Sequence, residues 1–344
     1  MAASANYPVK SPQWILTYAG TNITADISAM VLAITYTDCL DGAAGEIEVA
    51  LEDSQRRWQG PWYPTQADQI SLSIGYSGEQ LLPCGDFQVD QLELAGPPDV
   101  FHLRCVAAYI TPAMRTLNSA AYENQTLPQI ASTLARKHGL SVVGAPSTLD
   151  VGFGRLTQWH ETDLSFLHRL AREHGYDFTV RGRDLVFYAR TALESRAPVL
   201  AIERSDVIGF SFTHKTHMTY RAAQVSYQEP ATKQLITQTM AASPLPATGD
   251  TLKLTRRCEN GQQALLKTEA ALHAANMLQI TANIVLGGTT ALAAGNNVSV
   301  RGFGHGDGNY LIETARHRLS QRGGALPPGY ATEIEARRLT AITT

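Results

Sequence analysis

Three neighbouring runs determine the architecture of the first part of the chain: QISLSIGY (69–76), PCGDFQVDQLEL (83–94) and FHLRCVAA (101–108). In the first and third runs apolar and polar side chains alternate, which is the pattern of a half-buried β-strand. The middle run changes phase between Val89 and Leu92, and a β-bulge near Asp90 accounts for that change. With EIEVALE at 46–52, these runs predict antiparallel β structure for about the first hundred residues.

The same pattern returns near the other end of the sequence, in NVSVRGFG (297–304), GDGNYLIETARH (306–317) and ATEIEARR (331–338). Such self-similarity indicates a duplicated structural unit. Matching turns and strand patterns pairs Ile70 with Val298, Phe87 with Tyr310, and Leu103 with Glu333. We therefore predict a β-rich α+β fold in which two related antiparallel β-barrels flank an insert.

The region between the two β patterns has a helical period. Apolar residues recur at helical spacing after Thr126, which forms a possible capping box with Gln129, and a second helix of the same design begins near Thr162. A hairpin-like run follows at 176–189, and a separate long helix begins near Asn260 and continues through Leu266, Ala270, His273 and Met277. We expect three domains: a first β-barrel at 1–112, an α/β insert at 113–205, and a second β-barrel with a long helix at 206–344.

Composition narrows the possible functions. The 344 residues carry 28 basic and 31 acidic side chains, a net charge of -3, so no chain-wide positive field favours nucleic acid. Charged residues make up 17% and hydrophobic ones 44%, a balance that suits a protein sharing much of its surface with partners. The four cysteines form no C-x-x-C pair, and the sequence shows no signal peptide and no apolar run long enough for a membrane anchor. We expect synthesis in a bacterial cytoplasm.

Candidate catalytic motifs are weak. His160-Glu161 begins like a zinc-binding H-E-x-x-H motif, but Leu164 occupies the position of the second histidine. A pair of carboxylates for sugar hydrolysis could be nominated from Glu161 with Asp163 or Asp177, although many acidic residues make chance pairs inevitable. The glycine-rich run at 302–310 fails the spacing of phosphate-binding loops and is interpreted as a hairpin. We predict no catalytic, cofactor-binding or metal-binding residues.

The segment RRWQGPW contains Arg56, Arg57, Trp58 and Trp62 around a Gly-Pro turn. Two interpretations remain open. The tryptophans could close the end of a β-barrel, or they could anchor a partner together with the arginines, as Trp and Arg do in protein interfaces. We nominate these four residues as a subunit or partner contact.

Several motifs resemble one family: LEDSQRRWQGPW, CGDFQVDQLELAGPP, QWHETDLSFLHRLAREHGYDF, GDGNYLIETARHRLS and GYATEIEA. Together they resemble the phage late control protein D family, the hub proteins of contractile phage tails and phage-tail-like bacteriocins, which is similar to the hub portion of VgrG spike proteins. The resemblance spans nearly the whole chain.

The resemblance implies a homotrimer in which each chain supplies two tube-type β-barrels to a pseudo-sixfold ring. Such a ring adapts a sixfold tail tube to a threefold spike. The implied partners are the tail spike protein, the tail tube or a tube-initiator protein, and other baseplate proteins, with DNA only as cargo passing through the lumen.

We therefore expect a non-enzymatic baseplate hub in a virion or bacteriocin particle, assembled in the host cytoplasm without cofactors. Two alternatives stay open at this stage. One is a tail-associated peptidoglycan hydrolase, and the other is a receptor-binding tail protein.

Overall fold

The computed structural model describes residues 10–42, 45–65, 68–110, 112–144, 152–215, 219–228, 232–243, 249–255, 257–321 and 328–339. Within them the chain is mainly antiparallel β-sheet, with several short helices and one longer one. The sequence also contains two histidines at 214 and 217 and a Pro/Ala/Ser-rich stretch near 241–249, which is typical of a loop; His217 and most of that stretch lie outside the described residues.

The first β region confirms the strands expected from alternation. Ile47, Val49 and Leu51 are buried on one face, as their spacing predicts. The pairing of strands skips Asp90, which confirms the bulge there. The elements are β1 (Pro12–Tyr18), β2 (Thr21–Asn22), α1 (Thr24–Ile27), β3 (Val31–Cys39), β4 (Glu46–Glu52), β5 (Gln69–Tyr76), β6 (Leu82–Ala95) and β7 (Val100–Ala107).

The middle region contains the two predicted capped helices and the predicted hairpin. Thr126 and Gln129 form the capping box, and the Thr162 side chain accepts a hydrogen bond from the Ser165 amide at 3.1 Å. A long pair of strands before each helix was not predicted. The elements are α2 (Pro112–Arg115), β8 (Leu117–Thr126), α3 (Leu127–Lys137), β9 (Ser141–Val143), β10 (Gly152–Thr162), α4 (Asp163–Glu173), β11 (Tyr176–Arg181), β12 (Asp184–Ala189) and α5 (Arg190–Glu194).

The last region returns to β structure around one long helix. The glycine-rich run at 302–310 connects two antiparallel strands, which confirms its interpretation as a hairpin. The elements are β13 (Leu200–Glu203), β14 (Val207–His214), β15 (Tyr220–Gln228), β16 (Leu235–Ala241), β17 (Asp250–Leu254), α6 (Gly261–Asn276), β18 (Ile280–Gly287), β19 (Asn297–Arg301), β20 (Gly308–Ser320) and β21 (Gly329–Arg338), with short 3₁₀ turns at Arg204–Asp206 and Gly304–Gly306.

Both ends of the chain contribute to one sheet of 13 strands. In the first half the neighbouring strands follow the order β5, β6, β7, β4, β3, and in the second half they follow β19, β20, β21, β18, β14. If the five strands of each half are numbered 1 to 5 in chain order, both halves have the same spatial order, 3-4-5-2-1. Strand β20 joins the halves because it also pairs antiparallel with β3.

The strand pairing corrects one landmark of the sequence repeat. Phe87 pairs with Ile70 as Tyr310 pairs with Val298, so two of the matched positions are equivalent. Leu103, however, pairs with Leu92, and the corresponding pair in the second half is Ile334 with Ala315. The predicted match of Leu103 with Glu333 was therefore wrong by one residue, which in a strand moves a side chain to the opposite face.

Three smaller sheets lie outside the large one: β8 with β10, β9 with β11 and β12, and β15 with β16 and β17. Helix α6 packs on the last of these. The predicted helix is present, with Ala270 and Lys267 buried and Leu266, His273 and Met277 half-buried. Lys267 pairs with Glu173 of α4 at 3.1 Å, so α6 also contacts the middle region through a polar contact.

Charged side chains connect the middle region to the large sheet. Arg181 pairs with Asp38 at 3.1 Å, and the buried Arg337 pairs with Glu194 at 2.7 Å. Burial alone would raise the pKa of Glu194, but a hydrogen bond from His273 and the nearby Arg337 hold that pKa below its usual value. Removing one partner of the buried Arg337–Glu194 pair would leave an unpaired charge. This pair therefore holds α5 against β21.

Candidate interaction site

The four residues nominated from sequence lie in one loop between β4 and β5, which we call the Trp loop (residues 53–65). Asp53 organises it from a buried position. Its carboxylate accepts hydrogen bonds from the Trp58 amide at 3.1 Å and from Gln59 Nε2 at 3.2 Å. The loop is therefore held by its own polar contacts as well as by packing.

Trp58 lies in the core of the first half. Its side chain is 6% exposed and stacks on Phe101 with ring centroids 5.7 Å apart. Trp62 meets it edge-on at 5.5 Å. Trp58 is thus part of the apolar core of the first half.

The other nominated residues face solvent. Arg56 has a left-handed backbone with φ 54° and lies 3.9 Å from Asp99, while Arg57 stacks over the Trp62 ring at 5.1 Å. Trp62 is 36% exposed and the neighbouring Tyr63 is 58% exposed. The four residues therefore lie together in one loop. Trp58 is buried, whereas Arg56, Arg57 and Trp62 form an exposed surface of two cations and an aromatic ring.

A second candidate surface is the concave face of the large sheet. Six strands contribute to its lining, namely β3, β4, β6, β7, β20 and β21. Its charged side chains are Glu46, Glu48, Glu93, Glu333, Arg104, Arg316 and Arg318. Acidic groups outnumber basic ones, and the two ion pairs Arg104–Glu46 (2.7 Å) and Arg316–Glu333 (3.1 Å) neutralise part of the charge.

Two edges of the large sheet form a third surface, which the sequence analysis missed. Beyond the bulge at Asp90, the outer edge of β6 (residues 91–95) has no partner strand among the described residues, and neither has the outer edge of β14. Leu94, Ile208 and Phe210 are 49%, 49% and 43% exposed on these strands. The phase change at Asp90 was visible in the sequence, but it did not show that this part of β6 lacks a neighbour.

The residues considered for zinc binding or hydrolysis lie in the middle region, and each of the acidic ones pairs with a basic side chain. His160 is exposed, with a left-handed backbone at φ 49°. Glu161 accepts two hydrogen bonds from Arg169, at 2.6 and 3.2 Å. Among the described residues, no group of three or more histidine, cysteine, aspartate or glutamate side chains is arranged to hold a metal ion.

Asp163 and Asp177 are held in separate ion pairs. Burial would raise the pKa of Asp163, but hydrogen bonds from Gln158, Lys137 and His138 hold it below its usual value. Asp177 pairs with Arg190 at 2.7 Å, and burial raises its pKa in spite of that partner. Both carboxylates therefore form contacts that stabilise the insert.

Within the described part of the chain, no helix combines the length and the apolar character needed to cross a bilayer.

A family model described as phage tail baseplate hub (GPD) matches residues 89–323. The chain belongs to this family. The family resemblance inferred from the sequence motifs is thereby confirmed, and the hub family is favoured over a hydrolase or a receptor-binding protein.

The probable baseplate hub protein of Escherichia phage 186 is 27% identical over 200 residues, which are 57% of this chain and 51% of that protein. The chain thus spans about half the length of this curated relative.

Solved structures show the same fold. The 43 kDa tail protein of prophage MuSo2 from Shewanella oneidensis has a TM-score of 0.73 at 15% identity, covering 95% of this chain and 98% of that one. The half-lidded PdpA-VgrG complex of Francisella has a TM-score of 0.58 at 7% identity, covering 98% of this chain and 60% of that one. The chain therefore shares its fold with a chain of a PdpA-VgrG complex.

Proposed function

We propose that this chain is the structural hub of a contractile-tail baseplate, a homotrimer in which each copy supplies two tube-type β-barrels to a pseudo-sixfold ring. The observation that carries the proposal is the shared strand order of the two halves. Two equivalent units in each of three chains make six units around a threefold axis, which suits a junction between a sixfold tube and a threefold spike.

In this arrangement the concave face of the sheet lines the lumen. Its side chains are polar and charged, with four glutamates and three arginines. A protein that holds DNA presents cationic groups to many phosphates. A mildly acidic and partly paired lining instead lets DNA pass as cargo.

The remaining surfaces contact the partners. We assign the 113–205 insert to neighbouring baseplate proteins and the two ends of the ring to the tail tube or tube initiator and to the spike. Arg56, Arg57 and Trp62 contribute to a contact between subunits, and Trp58 supports that surface from the core. Cations and aromatic rings of this kind are enriched where partners bind.

The role is structural and involves no catalysis or cofactor. The particle is a phage virion or a phage-tail-like bacteriocin, and the hub is assembled in the host cytoplasm. The ion-paired state of Glu161, Asp163 and Asp177 supports a non-catalytic role, because a general acid or base needs a proton that it can exchange with substrate.

The experiment that tests this function is the light-scattering mass of the purified chain, alone and with its spike, combined with negative-stain imaging. One chain weighs 37.3 kDa, so we expect particles of about 112 kDa with a central opening. A chain that remains monomeric in the presence of its spike would contradict the proposal.

A further inference from the structure

The two halves of the sheet correspond strand by strand and share two of their register shifts. Pairing skips Asp90 in β6 and Glu313 in β20, at equivalent positions. It also shifts after Val31 in β3 and after Val207 in β14. Bulges are specific features of a strand, so β6 corresponds to β20 and β3 to β14 with a defined register.

Within the chain, an edge of the second half already pairs with an edge of the first half. Beyond its bulge, β20 pairs antiparallel with β3, from Thr314 opposite Cys39 to Ser320 opposite Ala33. Side chains at this junction are covered: Ile34 and His317 are both 0% exposed.

The corresponding edges of β6 and β14 do not meet each other in the described part of the chain. Leu94, the counterpart of His317, is 49% exposed, and Phe210, the counterpart of Ile34, is 43% exposed. A long apolar edge with unpaired backbone groups favours pairing with another chain.

We propose that the edge of β6 in one copy of this chain pairs antiparallel with β14 of a second copy, reproducing the internal junction between β20 and β3. This inference rests on the proposed hub function, because it specifies the contact between subunits of that ring. Applying the internal register to the open edges places Leu92 opposite His214, Glu93 opposite Thr213, Leu94 opposite Phe212 and Ala95 opposite Ser211.

Side-chain chemistry agrees with this register. In the internal junction, Tyr36 stacks on His317 with ring centroids 5.9 Å apart. At the proposed junction, the same positions bring the exposed Leu94 against Phe212, which belongs to a cluster of aromatic rings with Phe210 and Phe303. Apolar pairs across an antiparallel ladder stabilise the sheet.

The Trp loop fits the same equivalence. In the second half, the loop between β18 and β19 covers the internal junction, since the Ala294 amide donates to Asp38 at 2.9 Å and the Leu292 carbonyl lies 2.9 Å from His317 Nε2. The counterpart of this loop in the first half is the Trp loop. Its exposed Trp62 and Tyr63 therefore lie on the side where β14 of a second copy docks.

The contact joins two different surfaces of identical chains, so it is a head-to-tail contact. Contacts of this type form a closed ring when the rotation between copies closes. Closure of the ring would leave neither of these two edges unpaired, which removes the aggregation hazard that both present in a single copy.

The test is an engineered disulfide in the whole chain of 344 residues. Glu93→Cys and Thr213→Cys are introduced together, because both side chains are exposed and opposite each other in the proposed register. We expect oxidation to produce covalent species of two and three chains on a non-reducing gel. Each single variant should give about tenfold less covalent product, because an antiparallel pair places the two Cβ atoms within disulfide reach only across the junction.

Two further pairs serve as controls. Thr37→Cys with Arg316→Cys is the equivalent pair of the internal junction, so it should close a disulfide within one chain and give no covalent oligomer. Glu93→Cys with Phe212→Cys is out of register by one residue, which places the two side chains on opposite faces, so it should not cross-link.

Failure of this inference and failure of the hub function give different results. The proposed pairing would be overturned, and the hub function would stand, if three results coincided. Light scattering would give a mass of three chains, the internal control pair would form its disulfide, and Glu93→Cys with Thr213→Cys would give no covalent oligomer. A chain that stays monomeric with its spike and forms no covalent oligomer would overturn both.

Discussion

The junction between β20 and β3 and the open edges of β6 and β14 are equivalent parts of one duplicated unit, but only the first is closed within the chain. The closed junction has buried Ile34 and His317, whereas the open edges have exposed Leu94 and Phe210. On the proposed pairing of β6 with β14 of a second copy, the duplicated unit supplies the template for its own assembly, because the internal contact has the geometry that we propose for the contact between copies.

The largest difference should appear between the two tryptophans of the Trp loop. Trp58→Ala removes a ring that is 6% exposed and stacked on Phe101, so we expect it to lower the free energy of unfolding by about 3–5 kcal/mol. Trp62→Ala removes a ring that is 36% exposed, so it should cost less than about 1 kcal/mol in the isolated chain and should weaken assembly. Urea unfolding and light scattering measure the two effects. The reverse order of stabilities would refute the division between a buried anchor and an exposed contact.

The next comparison concerns the counterparts Ile34 and Phe210. Ile34→Ala leaves a cavity in the closed junction, so we expect a loss of about 2–5 kcal/mol in the free energy of unfolding. Phe210→Ala should cost less than about 1 kcal/mol in a single copy, because the ring is partly exposed there, and it should weaken self-association about tenfold. Equal losses of folding stability in the two variants would show that the edge of β14 is already covered.

His317 gives the closed junction a pH dependence that Leu94 cannot give the open one. Burial lowers the pKa of His317 to about 4, and its ring lies beside Tyr330, Thr332 and the Leu292 carbonyl. The unfolded chain binds this proton near pH 6.5 and the folded chain only near pH 4, so stability should fall by about 3 kcal/mol as the pH drops between these values.

His317→Leu, which places the residue type of Leu94 in the closed junction, is the control for this pH effect. The difference in unfolding free energy between the two proteins should shrink as the pH falls from 6.5 to 4, because the wild type alone loses stability through this group. A difference that does not change with pH would show that His317 is not buried in its neutral form.

The smallest effect is expected on the concave face. Arg104→Ala breaks the Arg104–Glu46 pair at 2.7 Å, whose side chains are 45% and 29% exposed. Partly exposed pairs contribute little, so the free energy of unfolding should change by less than about 1 kcal/mol and the oligomeric mass should stay the same. Loss of the oligomer would mean that this face, and not the strand edges, joins the subunits.

Alternation in the sequence predicted most strands of the large sheet and the duplication itself, because one buried face requires a period of two. It did not predict β8 and β10, whose long pairing carries few apolar side chains, as LNSAAYENQT shows. It also gave no indication that Lys267 of α6 is buried. Lys267 is buried there because α6 packs beside Glu173, a tertiary contact that no local pattern contains.

The candidate site was predicted only in part. The Trp and Arg residues drew attention to this loop, but their division into buried and exposed members depends on Phe101, which lies more than forty residues away in the sequence. The open edges of β6 and β14 could not be predicted from the sequence, because the strand order of the sheet determines which strands lack a neighbour. Amino-acid composition does not contain that information.

Hydrogen exchange of backbone amides in the assembled protein tests the central comparison most directly. If copies pair through the open edges, amides facing outward at residues 91–95 and 207–214 should become as strongly protected in the oligomer as those at 33–39 and 314–320, and exchange rapidly in the monomeric Leu94→Asp variant. Leu265→Asp, at a helix position that is 47% exposed, should leave both mass and protection unchanged. Rapid exchange along the β6 and β14 edges in an oligomer of three chains would contradict the account.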